Sequence, residues 1–287
     1  MILSLRAAFA AALVLLASTV QAMPIRDDTG RTVEIRVPAR RIISMAPSVS
    51  ESLCAIGAQK ALVGVTTVDD YPAAVKKLPR IGDFFTPVVE RIRALKPDVV
   101  ILESGTIDKT SVDNLQSRFQ VPVFALKSRT YDDVITHLLQ LGLIAGSSQG
   151  AQKTAAVMRA KAAQAARQIR GKRRVTVFAQ VNASPLYAAG PGSFLDDLIR
   201  RAGGTNVVRG ANPYPQYSKE ALLAANPEHY VIAEGSVMAP RTEIAPPLDR
   251  LYAVKHGAVH RINADWLLRP TPRLADGLLE LTKALHP

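Results

Sequence analysis

The sequence predicts an α/β protein of two similar lobes with mainly parallel sheets, joined by one long helix. Three observations carry this reading. A long uninterrupted helical stretch lies near the middle of the chain. The same order of motifs flanks it on both sides. Within each flank, short apolar runs alternate with amphipathic segments, the pattern of parallel α/β units.

The helical stretch is Ser147 to Gly171, SSQGAQKTAAVMRAKAAQAARQIRG. Eight alanines fall between Ala151 and Ala166, interleaved with Gln, Lys, Arg and Met, all good helix formers. No proline interrupts it. Ser147 or Ser148 can cap the first amides, and Gly171 is a natural stop. About 22 residues at 1.5 Å each span roughly 33 Å, the width of a small domain. Its large apolar residues are Val157, Met158 and Ile169. It is therefore expected to lie along other elements and not to centre a core. Alone it would read as a plain surface helix; the flanks make it a strut.

Before it, Arg40-Arg41-Ile42-Ile43-Ser44-Met45 is a basic pair followed by an apolar run. After it, Arg173-Arg174-Val175-Thr176-Val177-Phe178 has the same layout. Each run leads to a helix-like segment ending in glycine, Ser50 to Gly57 and Phe194 to Gly203. Each half then has a short amphipathic helix, a proline and an apolar strand: Glu90 through Pro97 to Ile101, and Glu220 through Pro227 to Ile232. Both glutamates stand seven residues before the proline. A repeat this long is a lobe and not a solenoid unit. The expected division is residues 23–146, a connecting helix 147–171, and residues 172–287.

In chain order, Asp28-Thr29-Gly30 is a turn and Thr32 to Ile35 alternates like a strand. Ile42 to Ala46 is a buried strand, with Ser50 as a candidate cap for the next helix. Leu62 to Thr66 is a strand. Thr86-Pro87 reads as an N-cap with proline at the first helical position. Val99 to Leu102 is fully apolar. Val112 to Phe119 is helical, Val121 to Ala125 a strand, and Tyr131 to Leu143 helical. In the second half Val175 to Gln180 is a strand, Ser193 opens a helix, and Asn212 to Tyr217 is extended. Ser218 caps the helix carrying Glu220. Tyr230 to Ala233 and Val259 to Ile262 are strands, Asn263 to Pro270 is a loop, and Pro272 to Leu285 is the last helix.

The first 22 residues stand apart. Arg6 precedes an apolar run from Ala7 to Ala17, and Val20-Gln21-Ala22 places small residues at the cleavage positions. This is the pattern of a secretory signal peptide, so a mature protein in the periplasm is expected, starting near Met23. No cysteine follows the cleavage point, which argues against a lipid anchor there. The formal net charge is +12, and removing the segment takes away only Arg6. The basic residues are scattered and not interleaved with aromatics, and export argues against a nucleic-acid partner. A solvated basic surface is the plain reading, and attraction to an anionic ligand or membrane face the sharper one. Cys54 is the only cysteine, and a structural thiol is the expected role.

Enzyme motifs are missing. There is no Gly-x-Ser-x-Gly elbow, no phosphate-binding Gly-x-x-x-x-Gly-Lys-Ser loop and no Gly-x-Gly-x-x-Gly after a strand. Gly190-Pro191-Gly192-Ser193 is a turn into a helix whose amides can hold an anion. His256 and His260 are four apart but lie in an irregular basic stretch, and with no His-rich loop and only five histidines no metal site is expected. The loops at strand ends instead hold Phe84, Phe85, Tyr187, Tyr214, Tyr217 and Trp266. Ligands in parallel sheets bind at the carboxyl ends of strands. On facing lobes these rings suggest a cleft for a large ligand with apolar faces. Asp265 and Arg269 flank Trp266. Arg269 can grip polar groups on a ligand rim, or the two can simply pair with each other.

Arg41 to Ser48, Asp70-Tyr71-Pro72, Glu90 through Ile101, Tyr214-Pro215-Gln216-Tyr217-Ser218 and Asp265-Trp266 through Arg273 together resemble the periplasmic cobalamin-binding proteins of ABC importers. These are class III substrate-binding proteins of the helical-backbone metal-receptor superfamily. The first motifs are shared with haem- and siderophore-binding members; the Tyr-Pro-Gln and Asp-Trp motifs are those of the corrinoid branch. The resemblance spans nearly the whole mature chain. It implies two Rossmann-like lobes bridged by one rigid helix, a ligand cleft between them, and a carrier rather than an enzyme. It implies a monomer with no cofactor, whose ligand is a cobalt corrinoid or, alternatively, haem or a ferric siderophore. The implied cleft residues are Pro47, Ser48, Phe84, Phe85, Tyr187, Tyr214, Asp265, Trp266 and Arg269. Glu90 and Glu220 match the glutamates that dock on arginines of the permease. The chain departs from the pattern at Val68 and near Glu103, where the family tends to place aromatics, and it lacks the family's disulfide. A transport-deficient sensor or an enzyme derived from the fold is the third reading.

Overall fold

A computed structural model describes residues 21–235 and 242–287. The expected signal peptide lies outside the described residues except for Gln21 and Ala22, which open β1 (Gln21–Arg26). Among the described residues no helix is long and apolar enough to cross a membrane.

β1 forms an antiparallel hairpin with β2 (Thr32–Val37), closed by a turn in which the Asp27 carboxylate accepts from the amides of Thr29 and Arg31. The first lobe continues with β3 (Ile42–Ser44), α1 (Pro47–Ala55), β4 (Leu62–Gly64), α2 (Val89–Ala94), β5 (Val99–Glu103), α3 (Lys109–Phe119), β6 (Val123–Leu126) and α4 (Tyr131–Ile144). Its sheet is parallel throughout, in the order β4-β3-β5-β6. Next comes α5 (Ser148–Gln168), 21 residues long.

The second lobe holds β7 (Val175–Ala183), β8 (Leu186–Ala188), α6 (Phe194–Arg201), β9 (Gly204–Asn206), α7 (Lys219–Ala225), β10 (His229–Glu234), α8 (Tyr252–Lys255), β11 (Val259–Asn263), α9 (Ala264–Leu267) and α10 (Leu274–Leu285). Its parallel strands run β9-β7-β10-β11. That is the order of the first sheet, strand for strand. The addition is β8, which returns antiparallel along the second half of β7. The helices carrying Glu90 and Glu220 therefore fill the same slot in each lobe. The acid after each proline also plays a matching part. Asp98 accepts from the amides of Arg40 and Arg41, and Glu228 accepts from the Arg173 side chain and the Thr176 amide.

Strands covered on both faces need apolar residues at every position, which is why β5 begins Val-Val-Ile-Leu. Alternate side chains go to different cores. Val99 and Ile101 join a cluster that runs through Ala151, Ala155 and Met158 of α5 to Leu195 and Leu278 of the second lobe. Val100 and Leu102 fill a separate cluster on the outer face. β10 divides in the same way, Val231 and Ala233 inward, Tyr230 and Ile232 outward. One core thus joins the lobes. α5 lies along α4 of the first lobe and α10 of the second. Its buried residues are Ala151, Ala155, Met158 and Ala165, one face of a helix, whereas Val157 is exposed. Small side chains let the helices approach closely: a Cβ on Gly142 of α4 would lie 2.4 Å from that of Ala151. The strut does more than lie along other elements, because its alanines are part of the shared core.

Some local expectations change. α1 begins at Pro47, so Ser50 is buried inside the helix and is not its cap. α2 begins at Val89. Thr86 instead bonds the Asp83 carboxylate, and Pro87 pairs with Gly82. The stretch expected as a loop from Asn263 contains α9, capped by the Asn263 side chain. Ser193 and Ser218 cap α6 and α7 as expected.

Candidate functional site

A cavity of about 730 Å³ opens between the lobes, within the usual range for ligand sites. Most of the wall comes from residues at or beyond the ends of strands. From the first lobe come Pro47 and Ser48 after β3, Glu103 to Thr106 at the end of β5, and Ser128 to Thr130 after β6. From the second come Pro191 to Phe194 after β8, Ala211, Pro213 and Tyr214 after β9, and Leu268 to Pro270 beyond β11. Arg200 of α6 completes the wall. Parallel strands all end on one edge, so their loops gather there.

Of the residues singled out in the sequence, Pro47, Ser48, Tyr214 and Arg269 line this cavity. Phe84, Phe85, Tyr187, Asp265 and Trp266 do not. Phe84 packs on the outer core of the first lobe, with Phe85 edge-on to it at 5.4 Å and 88% exposed. Tyr187 sits on β8, bridged to Gln216. Trp266 presses its backbone against α10, where a Cβ on Gly277 would be 2.1 Å from its carbonyl oxygen.

Arg269 is heavily engaged. Its guanidinium donates to Glu51 at 2.8 Å and Asp70 at 2.7 Å in the first lobe and meets Asp265 at 3.0 Å. Arg273 donates to Glu51 from Nε and Nη2 and lies over the Tyr71 ring, 4.2 Å from its centroid. Two cations and three carboxylates thus clasp the lobes beside the cavity. Burial alone would lower the Arg269 guanidinium; its bonds to Asp70 and Glu51 and the charge of Asp265 outweigh it and hold the group above its ordinary value. Burial raises Glu51 despite both arginines. For Asp70, burial opposes ionisation but the bond from Arg269 prevails and lowers it.

Among the described residues Glu103 is the one carboxylate on the cavity wall, alongside Arg129, Arg200 and Arg269. Glu103 accepts from the Ser128 amide at 2.9 Å and from its hydroxyl at 3.0 Å. Ser128 Oγ is 3.0 Å from His137 Nδ1, and His137 Nε2 is 2.7 Å from Asp28. Burial pushes Glu103 above the usual carboxylate range, with His137 and Ser128 only partly offsetting it. Tyr214 is raised by burial first and then by the negative charge of Glu103, which keeps its phenol protonated. Glu103 was not among the expected site residues, although a charge closing an all-apolar strand marks a strand end facing solvent or a ligand. Cys54 is half-buried, and burial pushes its thiol up to about 11, as for a structural thiol. Among the described residues no group of three or more potential ligands could hold a metal.

Two lobes of equal topology, one strut and a cavity at the facing strand ends define a two-lobed ligand-binding protein. The chain belongs to the periplasmic binding protein family, whose model matches residues 42–265. An uncharacterised ABC transporter substrate-binding lipoprotein of Bacillus subtilis is 27% identical over 92% of this chain and 85% of its own. The crystal structure of the periplasmic vitamin B12-binding protein of Vibrio cholerae superposes with a TM-score of 0.76 at 27% identity, covering 86% of this chain and 97% of that one. A periplasmic haem-binding protein of Pseudomonas aeruginosa gives 0.73 at 26% identity, covering 87% and 93%. The family and these neighbours are substrate-binding proteins and not enzymes, and the chain is a periplasmic binding protein of the ABC-importer type.

Proposed function

We propose that the chain captures a corrinoid in the interlobe cavity and hands it to an ABC importer. The likeness in sequence and fold to the vitamin B12-binding protein of Vibrio cholerae is the observation that most supports the ligand class. Among the described residues Tyr214 is the single phenol on the wall and no histidine joins it. Ferric haem draws on a tyrosinate or imidazole as axial ligand, and Tyr214 is the one described residue of the wall that could supply it. Of the three arginines that the described residues place on the wall, Arg269 is matched by three carboxylates and Arg200 lies beside Asp196 and Asp197, so Arg129 is the cation most open to an anionic rim. A large macrocycle with a mostly uncharged, amide-bearing rim suits walls whose charges are largely paired. The B12-binding relative supports the same choice; the haem-binding relative keeps haem as the competing ligand.

Delivery follows from position. Glu90 and Glu220 are both exposed in the first turns of α2 and α7, one per lobe in matching slots. Exposed ion pairs contribute about 0–1 kcal/mol each, so two of them set register on a permease more than affinity. The N-terminal segment would export the protein to the periplasm, where it works as a monomer.

Calorimetric titration of purified protein with cyanocobalamin and, separately, haemin tests the reading. Saturable binding of cyanocobalamin below micromolar concentration, about −8 kcal/mol or stronger, is expected, with no Soret shift on haemin. A tyrosinate-ligated haem spectrum without cyanocobalamin binding would transfer the assignment to haem. Trp266 lies off the cavity wall, so heat is a better readout than its fluorescence.

A further inference from the structure

We propose that Glu103 is a recognition acid for N–H donors on the ligand rim, and that it selects amide-bearing macrocycles over their carboxylate-bearing counterparts. This rests on the corrinoid reading and sharpens it to the chemistry of the periphery.

The side chain of Glu103 is 9% exposed, yet it lines the cavity. It is not an isolated buried charge. Ser128 Oγ touches both Glu103 Oε2 and His137 Nδ1 at 3.0 Å, and Asp28 holds His137 Nε2 from the far side. A serine hydroxyl has one proton, so it donates to one neighbour and accepts from the other. With Asp28 ionised, two arrangements satisfy every contact. In the first, Glu103 is ionised and accepts from Ser128, while His137 carries protons on both nitrogens and donates to Ser128 and Asp28. In the second, one proton has moved along the chain: Glu103 is a carboxylic acid donating to Ser128, Ser128 donates to Nδ1, and His137 is neutral with its proton on Nε2.

Both arrangements leave the four groups with one net negative charge. A carboxylate placed at Glu103 meets that charge whichever is populated; Arg129 and Arg200 on the same wall would attract it, so the part played by Glu103 is read as the change in preference when Glu103 is replaced. An amide N–H instead selects the first and gains a charge-assisted hydrogen bond. Ser128 and His137 act through Glu103 and are positioning residues: they let a buried acid be ionised toward the cavity with its remaining lone pairs organised. Tyr214 lines the same cavity from the second lobe, so the donor-seeking group belongs to a wall that both lobes share.

The test compares cyanocobalamin with dicyanocobyrinic acid, the corrinoid whose peripheral amides are carboxylic acids, by calorimetry at pH 7. Wild type is expected to prefer cyanocobalamin by about tenfold or more. In Glu103→Gln the ratio should collapse toward unity, because glutamine is uncharged and offers both donor and acceptor. Ser128→Ala and His137→Gln should reduce the ratio partway, which a purely structural loss, weakening both ligands equally, would not do. If wild type binds cyanocobalamin but the ratio is the same in Glu103→Gln and Ser128→Ala, the role of Glu103 is refuted and the corrinoid reading stands. If wild type binds neither corrinoid, that reading falls and the inference with it. Should Glu103→Gln fail to fold, Ser128→Ala decides alone.

Discussion

Glu51 offers the sharpest test of how the lobes are held together. Its side chain is 2% exposed and accepts three hydrogen bonds of 2.8–2.9 Å from Arg269 and Arg273. With Asp70 and Asp265 it gives the cluster three carboxylates against two guanidinium groups. Removing one partner of a buried ion pair costs about 3–5 kcal/mol. Glu51→Ala should fall at the lower end, about 3 kcal/mol, because the cluster passes from one excess negative charge to neutral and Arg269 keeps Asp70 and Asp265. Glu51→Gln keeps an acceptor and the shape, and should cost only about 1 kcal/mol. Arg269→Ala leaves three carboxylates facing one cation and should cost most, about 5 kcal/mol. Urea unfolding at pH 7 with a common m-value reads all three, and about 3 kcal/mol lowers Tm by roughly 6–12 °C at this size. The pH dependence follows from Glu51 being raised by burial. A raised acid contributes stability below its ordinary value and loses it as pH climbs through the folded value. Asp70 shifts the other way, but it is present in wild type and Glu51→Gln alike and cancels in their difference. The excess of wild type over Glu51→Gln should therefore be larger at pH 4 than at pH 7. An alanine variant within 1 kcal/mol of wild type, or an Arg269→Ala milder than Glu51→Ala, would refute the clasp.

Three further outcomes are expected. The double change Glu90→Ala with Glu220→Ala should leave ligand affinity intact and cut uptake in cells; normal uptake would remove the docking assignment. Gly277→Ala puts a Cβ 2.1 Å from the Trp266 carbonyl oxygen, so α10 must shift at a cost of about 1–3 kcal/mol, read by denaturant unfolding; a neutral change would show that α9 and α10 are not in close contact. Glu228 is held down at about 2, chiefly by its bonds from Arg173. A lowered acid contributes stability above its ordinary value and loses it as pH falls through the folded one. Wild type should exceed Glu228→Gln by about 1 kcal/mol at pH 7, and the gap should vanish near pH 2. A gap independent of pH would contradict the pairing.

What was legible in the sequence follows from how far apart the cooperating residues are. The strands were readable because burial on both faces leaves a continuous apolar signature, and Ser193 and Ser218 because a cap acts within three residues. Ser50 misled because Pro47, three residues earlier, already suits the first helical turn. Pro47, Ser48, Tyr214 and Arg269 reach the cavity because they follow strands in the chain. Aromatic content could not place the other rings, since Phe84 serves a core as readily as a ligand. Glu51 gave no signal at all: its partners lie 218 and 222 residues away, and an acid in a helix looks solvated until the second lobe is folded against it. Glu103 gave a weaker signal, a charge closing an apolar strand, but its chain of contacts runs through residues 25 and 34 positions further on in the same lobe.

The alternation of β5 and β10 side chains between inner and outer cores has a mechanical consequence. Because Val99, Ile101, Val231 and Ala233 share one apolar interior with the alanines of α5, the two halves are not separate bodies on a flexible joint. Swinging them apart would shear helix contacts as close as that of Gly142 with Ala151 and open that interior to water. The distance between Glu90 and Glu220 is then expected to change little on loading, which spin labels at the two positions would measure. A permease gripping both would have to sense loading at the mouth of the cavity, or pull the halves apart itself and spend its own energy to release what they hold.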